Sequence, residues 1–212
     1  MTIYVDSAII EEVQQAASWG WIGGVTTNPS LLAKSSLPPR ETLDKMAQIV
    51  NGSIFYQLTA DTLEGMVHEA LEAHHILQHQ LVLKIPATTL GFQAAARLSD
   101  DYTCAITAIF SPEQALLAEA CGARYAIYYH NRAKQWMPDG ENLGPKIVRL
   151  LSGNDNIEVL AASFKSKQEV FEVADAGVKH LTIKFDLLKT LADNEFSQKA
   201  VEDFNTTGMG IV

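Results

Sequence analysis

The chain has 212 residues, 47% hydrophobic and 19% charged, which suits one globular domain with a large core and argues against a disordered or fibrous chain. A formal net charge of -9 leaves no basic stripe for a phosphate backbone, so nucleic acid is not expected as a partner and an anionic ligand would need a local cationic pocket. No apolar run reaches membrane-spanning length and the start "MTIYVDSAII" lacks a signal-peptide pattern, so a cytoplasmic protein without membrane contact is expected.

Along the chain, short runs rich in β-branched and aromatic residues alternate with helical patterns. Strands are predicted in "TIYV", "IGGVTT", "SIFYQL", "LVLKI", "YTCAITAIF", "RYAIYY", "IEVLAAS" and "HLTIKF". Between the third and fourth, Leu63, Met66, Val67, Ala70 and Leu71 form an apolar stripe at helical spacing, which His74 continues. Ser111, Pro112 and Gln114 stand in the order of N-cap, first helical residue and capping-box partner, with Gly122 as the stop. "SKQE" at residues 166–169 repeats that box, and its helix ends near Gly177. "NRAKQWMPDGENLG" reads as a long loop that brings Trp136 over the neighbouring strand ends, and the tail "NTTGMGIV" as frayed. No linker divides the chain, so one domain is expected over residues 1–212, with a helical C-terminal segment.

Strands alternating with single helices imply a parallel sheet covered by helices. No G-x-G-x-x-G follows the first strand and the repeat reaches about eight units, which favours a (β/α)8 TIM barrel over an open doubly wound sheet. Function then belongs at the carboxyl ends of the strands.

At those ends "LVLKIPATT", residues 81–89, places Lys84 inside an apolar run. Alternation points Val82 and Lys84 to the same, inward side, and likewise pairs Tyr4 with Asp6, Phe55 with Gln57, Ala105 with Thr107, Ala161 with Ser163, and Thr182 with Lys184. Tyr129 and Asn28 join this neighbourhood. A lysine amine in a low-dielectric site keeps an unprotonated fraction near neutral pH and can form a Schiff base, an electron sink for making or breaking a C–C bond. Hydroxyl, amide and carboxylate neighbours can shuttle protons. The competing interpretation is a lysine kept there only as partner of a carboxylate such as Asp6. Cys104 and Cys121 have no metal or redox spacing and read as small buried hydrophobes. His75 and His79 are one helical turn apart without an evident third ligand, so a solvated helix face is expected and no metal.

Four blocks in order, "GVTTNPS" at 24–30, "KIPAT" at 84–88, "YHNR" at 129–132 and "LAASFKS" at 160–166, resemble the small transaldolase family, in particular its fructose-6-phosphate aldolase branch. The resemblance implies a class I aldolase barrel with no cofactor, in which Lys84 is the Schiff-base nucleophile. It implies that Asp6 and Asn28 flank a dihydroxyacetone-derived unit, with Thr26 among the substrate-binding residues, that Thr107 holds water and substrate hydroxyls, and that Arg132 and Ser163 bind the substrate phosphate. Gln57 and Tyr129 match the aldolase branch, where true transaldolases have glutamate and phenylalanine. The implied reaction is cleavage of fructose 6-phosphate to dihydroxyacetone and glyceraldehyde 3-phosphate. The alternatives are a transaldolase, which passes the dihydroxyacetone unit to another sugar phosphate, and a barrel that binds sugar phosphates without turnover. A homo-oligomer, pentamer or decamer, is implied as well. Lys184 departs from the family pattern, which has proline there; it is expected to reach the phosphate or to depress the Lys84 pKa by like-charge repulsion, with a role as the reactive amine itself as the third alternative. Tyr128 and His130 also depart, replacing apolar residues.

Overall fold

The computed structural model describes residues 1–211. Its strands β1 (Thr2–Asp6), β2 (Gly24–Thr26), β3 (Ser53–Gln57), β4 (Leu81–Pro86), β5 (Cys104–Ile109), β6 (Tyr125–Tyr129), β7 (Glu158–Ala162) and β8 (His180–Lys184) pair in chain order and close into one parallel barrel. Helices α1 (Ile10–Ser18), α2 (Pro29–Leu32), α3 (Pro39–Ile49), α4 (Leu63–Leu77), α5 (Thr89–Leu98), α6 (Pro112–Ala120), α7 (His130–Trp136), α8 (Leu143–Leu150), α9 (Lys167–Asp175), α10 (Phe185–Thr190) and α11 (Glu195–Thr207) intervene or follow. This is the TIM barrel that the strand and helix alternation predicts. No helix among the described residues is long and apolar enough to cross a membrane.

Two cores hold it together. Outward-facing Val5, Ile54, Leu83, Ile106 and Ile183 pack under helix residues such as Ala70, Leu77, Ala95 and Ala118. Inward-facing Tyr4, Phe55, Val82, Ala105, Ile127, Leu160 and Ala162 fill the barrel itself. Tyr4 meets Phe55 edge-on at 5.1 Å and Phe55 meets Tyr125 at 5.4 Å, so the interior is a solid apolar plug. Lys84, two residues beyond Val82 on the same face, rests on top of that plug.

The helix starts follow the sequence signals. Ser111 Oγ accepts from Gln114 N at 3.3 Å and Ser166 Oγ from Glu169 N at 3.2 Å, while Gly122 and Gly177 take φ of +79° and +89° at the helix ends.

Several expectations need correction. The buried line of α4 is Met66, Ala70, Ala73 and Leu77, and both Leu71 and His74 are exposed, because each lies one residue, or about 100°, off that line. His79 lies beyond the end of α4, in a short 3₁₀ turn, so it does not stand one helical turn above His75. The segment read as a long loop is mostly α7 and α8, joined through a tight turn in which a Cβ on Gly140 would sit 1.8 Å from Ala133 O. In β7 the inward residues are Leu160 and Ala162, whereas Ala161 belongs to the outer core. Asn205, Thr206 and Thr207 of the tail extend α11, whose N-cap Asn194 accepts from Phe196 N at 3.0 Å and Ser197 N at 3.1 Å; Val212 lies outside the described residues.

Candidate active site

A cavity of about 520 Å³ opens at the carboxyl ends of the strands and exposes Lys84 to substrate-sized space. The Lys84 side of β4 is enclosed: the residue is 5% exposed, and Nζ donates to the Thr27 carbonyl at 2.7 Å. Burial pushes its pKa down to about 8; the Asp6 carboxylate works against that shift and the Arg132 guanidinium adds to it. At pH 7 about a tenth of such lysines are neutral, against about three in ten thousand at the ordinary 10.5. Arg132 therefore takes the part expected of Lys184, which is an exposed residue at the rim of the cavity.

Asp6 ends β1 and accepts from Thr26 Oγ1, at the end of β2, at 2.8 Å. Since Thr26 spends its one hydroxyl hydrogen on Asp6, Thr182 on β8 must donate to Thr26, 2.5 Å away. The three side chains form a directed hydrogen-bond row facing the cavity. Asn28 is the N-cap of α2; its Oδ1 accepts from Leu31 N at 3.0 Å, which leaves its amide hydrogens for a ligand. Gln57 ends β3 in register with Lys84 and lines the same cavity.

Across the barrel, Thr107 Oγ1 and Tyr129 Oη lie 3.2 Å apart. Thr107 precedes Ala108, which has φ of +59° where the β5–β6 register shifts, so a bulge turns the strand end beside the site. Arg132, in the first turn of α7, stands over the Tyr129 ring at 4.8 Å and the Trp136 ring at 5.7 Å. Trp136 also stacks on Phe110 at 5.5 Å and lines the cavity, as expected, although from a helix. Ser163 follows β7 with φ of +69°, a conformation that a non-glycine residue keeps only when its surroundings hold it.

All ten residues singled out from the sequence, Asp6, Thr26, Asn28, Gln57, Lys84, Thr107, Tyr129, Arg132, Ser163 and Lys184, thus gather at this end of the barrel; nine line the cavity, and Thr107 is buried and meets it through the Tyr129 hydroxyl. Strand alternation gives Thr182 an inward direction, but its bond to Thr26, like that of the Thr27 carbonyl to Lys84, is visible only in the folded chain. Among the described residues, no group of three or more His, Cys, Asp or Glu is placed to hold a metal ion. Burial pushes the Cys104 thiol up to about 12, in keeping with a packing role.

Fold and site together define a TIM-barrel protein whose carboxyl-end cavity is centred on a buried lysine. The family model described as transaldolase/fructose-6-phosphate aldolase matches residues 3–209, and the chain belongs to that family. It is an enzyme of that family, with sugar phosphates as its class of substrate. It is 36% identical over 206 residues to a probable transaldolase of Kosmotoga olearia, covering 96% of this chain and 94% of the relative. Against probable transaldolases of Caldicellulosiruptor saccharolyticus and Halalkalibacterium halodurans it is 35% and 34% identical, with 96% of this chain covered in both and 95% and 97% of the relatives. These names fit the family and do not single out the aldolase branch. A mandelate oxidase crystal structure superposes with a TM-score of 0.59 at 14% identity over 95% of this chain and 71% of that one, a likeness of fold alone.

Proposed function

We propose that the chain is a transaldolase that works through an imine on Lys84. The observation that carries this is the buried amine, with its pKa pushed down to about 8, facing a cavity lined by Asp6, Asn28 and Gln57. The neutral amine adds to the C2 carbonyl of a ketose phosphate whose phosphate is held by Arg132 and Ser163, and loss of water gives an iminium ion. Asp6 takes the C4 hydroxyl proton, the C3–C4 bond breaks, and its electron pair moves into the iminium to leave an enamine and glyceraldehyde 3-phosphate. The enamine then attacks the carbonyl of an acceptor aldehyde, Asp6 returns the proton to the new alkoxide, and water hydrolyses the iminium. The names of the relatives support the transfer half.

A second reading, the branch that the sequence blocks resemble, is a fructose-6-phosphate aldolase, and one observation favours it. The Tyr129 phenol lies 3.2 Å from the Thr107 hydroxyl, with Gln57 on the cavity wall. A phenol there can pass a proton through a held water to the enamine, and hydrolysis would then release free dihydroxyacetone. The exposed apolar residues Phe196, Val201 and Phe204 of α11 support a homo-oligomer as part of this proposal, and the cytoplasm is its proposed location.

The test is product release from fructose 6-phosphate with and without erythrose 4-phosphate. Glyceraldehyde 3-phosphate that appears only with the acceptor supports the transaldolase; release of both products without it moves the assignment to the aldolase. No product in either assay overturns both for this donor.

A further inference from the structure

We propose that Glu169 is a positioning residue for phosphate recognition, one that holds the Arg132 helix and the Ser163 turn in fixed relation; this rests on the phosphate placement given above. Glu169 is 7% exposed, on the outer side of the barrel wall. The sequence marks it only as the last residue of a capping box. In a simple box its carboxylate would turn back to the N-cap N–H of Ser166. Instead, Oε2 accepts from Lys165 N at 2.7 Å, one residue earlier, and Oε1 accepts from Asn131 Nδ2 at 2.7 Å, on α7.

A second link closes the circuit, because Asn131 N donates to the Ser163 carbonyl at 2.9 Å. Asn131 adjoins Arg132, and Lys165 lies two residues after Ser163. The ring therefore runs from α7 through the Glu169 carboxylate to the β7–α9 turn and back through the Ser163 carbonyl. Ser163 holds a φ of +69°, which must be imposed by its neighbours. Burying a carboxylate is costly unless its oxygens are paired, and here each oxygen meets one N–H. Lys134 is paired instead with Glu172, at 3.2 Å, which leaves hydrogen bonds to carry the Glu169 charge. Arg132 has a cation–π contact on Tyr129 but needs a fixed helix beneath it to meet a phosphate at the distance set by Ser163.

The experiment compares native protein with Glu169→Ala, Glu169→Gln and Arg132→Met. Binding of inorganic phosphate is measured by calorimetry, and kcat/KM is measured for fructose 6-phosphate and for fructose. Glu169→Ala is expected to weaken phosphate binding by about tenfold and to lower the preference for the phosphorylated donor by a similar factor, the scale of one charge-assisted hydrogen bond. Glu169→Gln is expected to restore both to within about threefold, since a turned Asn131 amide can accept from the new amide while Lys165 N keeps its acceptor. Should Glu169→Ala not fold, Asn131→Ala cuts the same ring at one bond and is expected to shift phosphate binding in the same direction. Phosphate binding that is weakened by Arg132→Met and untouched by the ring variants overturns the inference while the phosphate site stands. Equal losses on both donors with an unchanged preference assign Glu169 a structural role and overturn it too. If no variant, Arg132→Met included, weakens phosphate binding, the phosphate placement and the inference fall together.

Discussion

Replacing Lys84 with methionine should change stability in a way that depends on pH, and the size of that dependence follows from the site. The folded-state pKa is about 8 against an ordinary 10.5, so below pH 8 the folded protein holds this proton less tightly than the unfolded chain. The resulting destabilisation of the native protein is fully present below about pH 8 and vanishes above about 10.5; its ceiling is about 3 kcal/mol. Integrating the two titrations, most of it, roughly 2–3 kcal/mol, is regained between pH 7 and pH 10. The variant also loses the hydrogen bond to the Thr27 carbonyl, about 1 kcal/mol, but that loss is the same at every pH and drops out of the comparison. Urea unfolding followed by tryptophan fluorescence, for native and Lys84→Met at pH 7 and pH 10, gives the quantity directly. The stability difference, variant minus native, should fall by roughly 2–3 kcal/mol across that range. A difference that is flat with pH would mean an ordinary lysine and would refute the neutral-amine account.

Tyr129→Phe removes the phenol that meets Thr107, and should slow release of free dihydroxyacetone by about a hundredfold while slowing transfer to an aldehyde much less; equal slowing removes the support for the aldolase reading. Tyr128→Phe should stabilise the fold by about 1 kcal/mol, read as a raised Tm, because that hydroxyl is buried against Gly144 with no hydrogen-bond partner. A lowered Tm would show that the hydroxyl is satisfied in solution. Trp136→Ala frees one face of Arg132, and KM for a sugar phosphate should rise by about threefold, the scale of an exposed cation–π contact. An unchanged KM would make Trp136 a bystander.

The fold was legible because its two periodicities are strong: apolar strands at regular spacing and helices with clear starts and stops. Inward directions could be read wherever a strand ends in a polar residue, as with Asp6, Gln57 and Lys84. In β7 both faces are apolar, so alternation across "LAAS" has no phase mark and pairs Ser163 with the wrong alanine. Its place in the site is set by a left-handed turn just past the strand, which no side-chain pattern announces. The same alternation points Lys184 inward, yet β8 ends there and the chain turns into α10, which leaves the side chain at the rim. Glu169 looked like half of a helix cap; its second bond, to Asn131, spans 38 residues of sequence and only the folded chain reveals it.

The central claim is that Lys84 forms the imine. Reduction with borohydride in the presence of dihydroxyacetone, followed by peptide mapping by mass spectrometry, tests it most directly. The account predicts a single three-carbon adduct on the peptide that carries Lys84, and none in Lys84→Met. An adduct on another lysine of the cavity, such as Lys184 at its rim, or trapping that persists in the variant, would contradict it.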